Sequence, residues 1–194
     1  MPLSAPVERE RLHERRYEFQ GFRRHDGLWD IEGRMVDTKT YDFPNTARGT
    51  IHAGTPLHDM RIRLTLDEHF VVRDVEAVTE AAPFAICPAV TETFTVIKGL
   101  KLGAGWRRQL KERLDGVKGC THHVEMLGAM ATVAYQTMWK HVSAEMSEKG
   151  SGSHRRPGFI DSCHAFASDG DIVRSKWPEF YTGPEEAEPT AKKA

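Results

Sequence analysis

The segment MRIRLTLD carries the feature that most constrains the fold, a strict alternation of apolar and polar residues. Because successive side chains of a β-strand point to opposite faces of a sheet, this pattern predicts a strand with one buried and one solvated face. We expect the face toward the core to consist of Met60, Ile62, Leu64 and Leu66, with Arg61 and Arg63 on the other side.

Two further segments have the composition of strands. A polar turn at 67–69 leads into the β-rich run 70–81, which predicts a hairpin, and 28–39 predicts a strand interrupted near Gly33. Together they form an antiparallel meander of at least three strands. The charged stretch 6–24 is interpreted as an arm, and 44–50 as a loop.

The hydrophobic period changes after Pro83 and Pro88. Trp106, Leu110 and Leu114 recur at intervals of four, which predicts a helix, and 121–146 has the longest helical pattern. Strands followed by helices indicate an α+β fold, an antiparallel β-meander with helices packed on one face of the sheet.

Length and charge bound the class of protein. The 194 residues, 39% hydrophobic, fit a single α+β domain over 1–182, and the polar residues 183–194 are expected to be a disordered tail. A net charge of -1 argues against a nucleic-acid partner. We expect no membrane partner, because no run of 18 apolar residues exists. A homo-oligomer is left open.

The compartment is inferred from the N-terminus and from the three cysteines. The N-terminal segment lacks the apolar core of a signal peptide, so a cytoplasmic location is expected. The cysteines are then interpreted as thiols or ligands rather than as a disulfide framework.

GCTHHVEML, residues 119–127, is the densest group of chemically active residues. Cys120 would open a helix whose N-terminal dipole favours the thiolate. Helical spacing pairs Cys120 with His123, while His122 would join them only if the first turn were irregular. Three hypotheses remain open, namely a capped helix start, a metal half-site, and a nucleophile with an adjacent base.

Two other clusters are candidates. His58 and Asp59 lie where a Gly/Pro turn enters the clearest strand, and they could transfer protons or bond the turn itself. In the second cluster an arginine pair lies beside an aromatic residue, so it could hold the carboxylate and the ring of an aromatic acid, or it could be a turn beside a core tryptophan. It comprises Arg23, Arg24, Trp29 and Asp30.

The residues HERR, RRHDGLWDIEGRMVDTK, AGTPLHDMRIRLTLD, GCTHHVEML and DSCHAF together resemble a bacterial family catalogued as domain of unknown function 2889. The resemblance covers roughly residues 10 to 182. It implies no reaction, but it implies a context of bacteria that degrade aromatic compounds.

The layout of hairpin, cysteine and cysteine-opened helix is also similar to the U-type iron–sulfur scaffold proteins. That similarity implies a metal or iron–sulfur site in this chain using Cys87, Cys120 and a histidine. If the segment DSCHAF folds back onto Cys120, the ligands would be Cys87, Cys120, His123 and Cys163.

No GxGxxG, GxxxxGK[ST], HExxH or GxSxG motif is present, so no nucleotide cofactor is expected, whereas a metal stays open. The leading hypothesis is a small-molecule enzyme, a lyase or hydrolase of aromatic or carboxylated metabolites, that uses His, Asp and Cys for acid–base chemistry. The alternative is the metal- or iron–sulfur-binding scaffold. We predict one pocket that contains His58, Cys120, either His122 or His123, and either Asp59 or Asp30.

Overall fold

The computed structural model describes residues 2–148 and 156–184. They fall into two compact units, Met1–Glu145 and Met146–Ala194, and the expectation of a single domain over 1–182 stays a prediction. Most of the expected tail, residues 185–194, lies outside the described residues. In the part of the chain that is described, no helix is long and apolar enough to cross a lipid bilayer.

A four-stranded antiparallel sheet forms the centre of the first unit. Its strands are β1 (His13–Arg23), β2 (Trp29–Lys39), β5 (His58–Leu66) and β6 (Val72–Ala81), in the order β1-β2-β5-β6. A small separate hairpin pairs β3 (Phe43–Asn45) with β4 (Gly49–Ile51). The α+β class and the antiparallel meander are therefore confirmed.

The helices follow the sheet along the chain. The α-helices are α1 (Trp106–Leu114), α2 (Thr121–Glu148) and α3 (Asp171–Lys176). The 3-10 segments are Cys87–Ile97, Gly116–Lys118, His164–Phe166 and Pro178–Phe180. Both predicted helices in the first unit are confirmed.

The predicted register of β5 is confirmed by burial. Its four apolar side chains are at most 2% exposed, and Arg61 and Arg63 lie on the exposed face. These apolar side chains pack with the inner side of α2, whose buried apolar residues are Met126, Leu127, Met130, Ala134 and Met138. The helix α1 adds its predicted stripe to the same core, and Trp106 Nε1 donates a hydrogen bond of 2.9 Å to the Leu127 carbonyl.

The predicted interruption near Gly33 was wrong, because β2 is continuous through it. A Cβ at Gly33 would lie 3.0 Å from the Phe19 ring and 3.3 Å from Met130 Sδ. The glycine therefore marks close packing between sheet and helix, not a break in the strand.

The predicted N-terminal arm is also wrong over 13–23, where the chain forms β1 at the edge of the sheet. The helix-facing side of β1 includes Arg15 and Tyr17, whose polar groups bond Asp37 and Glu125. Because those inner positions are polar, they hide the alternation that reveals a strand in a sequence. The predicted loop 44–50 is a hairpin instead, because it overlaps β3 and β4 and contains the turn between them.

Candidate functional site

Asp37 is the carboxylate around which the site is built. It is 1% exposed and lies on the helix-facing side of β2, directly opposite Arg15 of β1 and His58 of β5. Arg15 donates to Asp37 Oδ1 from Nε and to Oδ2 from Nη2, both at 2.7 Å. His13 Nε2 lies 3.1 Å from Oδ1. Side chains from both neighbouring strands, β1 and β5, therefore contact one buried carboxylate of β2.

His58 is oriented by this carboxylate. Its Nδ1 lies 2.9 Å from Asp37 Oδ2, and its side chain is 12% exposed. Burial raises the pKa of Asp37, but the bonds and charge of Arg15 and the bond from His58 outweigh it and lower the pKa to about 2. Since an ionised carboxylate only accepts, His58 Nδ1 carries the proton and Nε2 keeps a lone pair.

The His58 imidazole is held in its neutral form. Burial lowers the pKa of His58, and the bond and charge of Asp37 offset only part of that effect. A neutral imidazole with a defined tautomer can accept a proton or bind a metal through its second nitrogen.

Cys120 and His122 bring the start of α2 to the same place. The His122 ring centroid lies 4.2 Å from that of His58, and Cys120 Sγ lies 3.8 Å from His122 Nδ1. Cys120 Sγ also contacts Met60 Sδ at 3.9 Å. Burial lowers the pKa of His122 as well. A thiol, a thioether and two imidazoles are thus contiguous.

The expected pairing of Cys120 with His123 was wrong. Cys120 precedes the first residue of α2, and its carbonyl accepts the bond from Val124 N at 3.0 Å, so it is the N-cap rather than a helical residue. The three-residue helical rule does not apply to a cap. His123 is 0% exposed instead, with Nε2 3.2 Å from the Val78 carbonyl, and it lies against Phe94.

The expected carboxylates do not join the pocket either. Asp59 follows His58 in β5 and therefore points to the opposite face, where Arg34 binds both its oxygens at 2.9 and 2.6 Å. Asp30 lies on that face too and accepts a bond of 2.7 Å from Thr65. The side chains that the structure brings together are thus His58, Cys120 and His122, with Asp37 as their carboxylate.

The cluster expected to hold an aromatic acid lies elsewhere. Trp29 is 7% exposed in the core, and the Arg23 guanidinium lies 5.3 Å from its ring centroid. Arg24 pairs with Asp26. Trp29 and Asp37 are eight residues apart on β2, about 26 Å at roughly 3.3 Å per residue. The structure therefore favours the turn and core interpretation of this cluster.

Among residues 2–148 and 156–184, one set of three His, Cys, Asp or Glu side chains has ligand atoms within 4.8 Å of one another, namely Asp37, His58 and His122. Because Arg15 occupies both oxygens of Asp37, this carboxylate is better suited to orient His58 than to bind a cation. Within the first unit, Cys87, Cys120 and His123 form no such set. Cys163 is exposed in the second unit.

The sequence motifs did not indicate Asp37 or Arg15 as site residues, although one signal marks Asp37. The inner positions of β2 are Trp29, Ile31, Gly33, Met35 and Asp37, so a carboxylate ends an otherwise apolar register. Arg15 carries no comparable signal. A second polar contact borders the site, since Tyr17 Oη and Arg15 Nη1 donate to Glu125 Oε2 of α2 at 2.8 and 3.3 Å.

Comparison with known proteins bears on family rather than on reaction. No curated protein matches this chain, and no solved structure matches it. The model of one family, described as protein of unknown function (DUF2889), matches residues 13–136. That range begins with β1 and includes every residue of the site described above. The chain therefore belongs to the DUF2889 family.

Proposed function

We propose that this protein is a small-molecule enzyme in which His58, oriented by Asp37, accepts a proton from substrate and later returns it. The observation that carries the proposal is the 2.9 Å contact between His58 Nδ1 and the buried Asp37 carboxylate. We assign the enzyme to the lyases or hydrolases, acting in the cytoplasm on aromatic or carboxylated metabolites without a nucleotide cofactor.

The dyad has the parts that proton transfer needs. Asp37 fixes the tautomer of His58, and Arg15 fixes Asp37 through two bonds of 2.7 Å. The orientation of the base therefore does not depend on solvent. His122 lies next to the His58 ring and supplies a second proton carrier, and Cys120 supplies a thiol in contact with His122.

The test is turnover of a panel of aromatic esters and carboxylated aromatic compounds by the wild type and by His58→Asn. Loss of a positioned base should lower the rate of the active substrate by about 10²- to 10⁴-fold. The matched control is His52→Asn, since His52 Nδ1 also contacts a carboxylate, Asp42, at 2.8 Å, but both side chains are exposed.

His52→Asn should retain the wild-type rate, and thermal melts of both variants should show that they are folded. A His58→Asn variant that is folded and fully active on that substrate would contradict the proposal.

The alternative, a metal- or iron–sulfur-binding scaffold using Cys87, Cys120 and a histidine, is supported by one contact, that of Cys120 with His122. The visible spectrum and metal content of the purified protein discriminate between the two. A coloured cluster that is lost in Cys87→Ser favours the scaffold, and a protein without such a cluster favours the enzyme.

A further inference from the structure

We propose that Cys120, Met60 and His122 bind one Cu(I) ion beside His58. This inference concerns the same cluster of side chains as the proposed function but does not depend on proton transfer by His58. It rests on the placement of three donor atoms of soft or borderline character, Cys120 Sγ, Met60 Sδ and His122 Nδ1.

The distances from the Cys120 thiol to the other two donors fit a three-coordinate ion. Cys120 Sγ lies 3.9 Å from Met60 Sδ and 3.8 Å from His122 Nδ1. Donors bound at about 2.3 Å for sulfur and about 2.0 Å for nitrogen, spread in a trigonal plane, are separated from one another by about 3.7 to 4.0 Å. Both distances from Cys120 Sγ match this geometry.

The donor types select the metal. Thiolate and thioether sulfur favour Cu(I), whereas Mg²⁺ and Ca²⁺ require oxygen ligands, and structural zinc takes four ligands drawn from Cys, His and carboxylates. Burial supports low coordination, since Met60 is 1% exposed. Binding converts the Cys120 thiol to a thiolate and releases its proton to solvent.

His58 is adjacent to this set but is not one of its donors. Its Nδ1 is engaged by Asp37, and its ring packs beside that of His122. Among the described residues, neither the exposed thiol of Cys163 nor the partly buried thiol of Cys87 has the contacts with methionine sulfur and imidazole that distinguish Cys120. These residues therefore supply the controls.

The experiment is a titration of the full-length protein with Cu(I) under anaerobic, reducing conditions, in competition with a chromogenic Cu(I) chelator. We expect one high-affinity ion per chain. Met60→Leu conserves volume, so the core should survive it. Binding should be weakened by at least about tenfold in each of Cys120→Ser, Met60→Leu and His122→Asn, because even the loss of a residue that only orients a metal ligand lowers metal affinity on this scale.

A second readout does not depend on affinity. In protein labelled at the methionine methyl groups, Cu(I) should shift the Met60 resonance, which is identified by its disappearance in Met60→Leu. The variants Cys87→Ser, Cys163→Ser and His58→Asn should bind Cu(I) as the wild type does.

Four results would overturn the assignment: no stoichiometric Cu(I), loss of binding in Cys87→Ser or Cys163→Ser, an unmoved Met60 resonance, or stronger binding of Zn²⁺ than of Cu(I). His58→Asn separates the two proposals. If it binds Cu(I) and is inactive, both stand. If it binds and stays active, only the proposed function fails.

Discussion

Asp37 is held by side chains from both neighbouring strands, and this explains how a carboxylate can be ionised in a buried position. Arg15 bonds both of its oxygens, and His58 and His13 each contact one of them. A buried charge is tolerated when it is paired and its lone pairs are satisfied. The orientation of His58 therefore depends on Arg15, which the sequence did not indicate.

Arg15→Lys should destabilise the protein by about 2 kcal/mol at neutral pH, because lysine cannot replace two parallel bonds to one carboxylate. Arg16→Lys is the control, since Arg16 is exposed and pairs with Glu14 of the same strand. Urea denaturation of the two variants measures the difference. Equal loss of stability in both would show that the pair with Asp37 contributes nothing.

The same variant makes a prediction about pH. The pKa of Asp37 is depressed from 3.8 to about 2 in the folded state, so its contribution to stability is present above about 4 and is lost as pH falls toward 2. The difference in unfolding free energy between wild type and Arg15→Lys should therefore shrink across that window. A difference that stays constant down to pH 2 would contradict this origin.

Two elements meet at the site, the start of β5 and the start of α2. Their positions follow from close packing between sheet and helix at glycines. A Cβ on Gly21 of β1 would lie 1.8 Å from Thr137 Oγ1, and Gly33 of β2 lies under Met130. The helix can approach the sheet only where these side chains are absent.

Gly21→Ala should therefore destabilise the protein by about 1 to 3 kcal/mol through overpacking. Adding Thr137→Ala removes two of the three clashing atoms, so the double variant should recover part of that loss. Denaturation of both single variants and the double variant gives the coupling free energy. Additive effects would mean that α2 does not pack on β1 at this point.

Prediction from sequence succeeded for elements whose pattern is simple. The alternation of β5 and the spacing of Trp106, Leu110 and Leu114 each depend on apolar burial alone, which local sequence records directly. It failed for β1 and for Asp37, because their inner positions are polar and are satisfied by partners distant in the chain. It also failed for His123, because one residue's difference in where α2 begins changes which histidine faces Cys120.

At the scale of the whole molecule, the core and the site belong to the first unit. The hydrophobic core cluster extends from Trp29 to Met138, with partly buried residues from Phe19 to Val142. The family match, 13–136, also lies within this unit. A chain of residues 1–148 should consequently fold cooperatively.

The melting temperature of a 1–148 variant, compared with the full chain by circular dichroism, checks this expectation. A cooperative transition within a few degrees of the full chain would establish the first unit as autonomous. An unfolded or non-cooperative product would instead support the single domain expected over 1–182.

The most direct test of the central claim compares Asp37→Asn with Asp59→Asn. Both are buried carboxylates of the same sheet with an arginine on both oxygens, but only Asp37 lies on the face of His58. The measurement is the turnover rate of the substrate found by the panel, with thermal melts to confirm that both variants are folded. Asp37→Asn should lower the rate by at least about 10²-fold, because the tautomer of the base is no longer fixed, and Asp59→Asn should leave it near that of the wild type. Equal rates in the two variants, or a loss confined to Asp59→Asn, would contradict the assignment of Asp37 and His58 as the reaction centre.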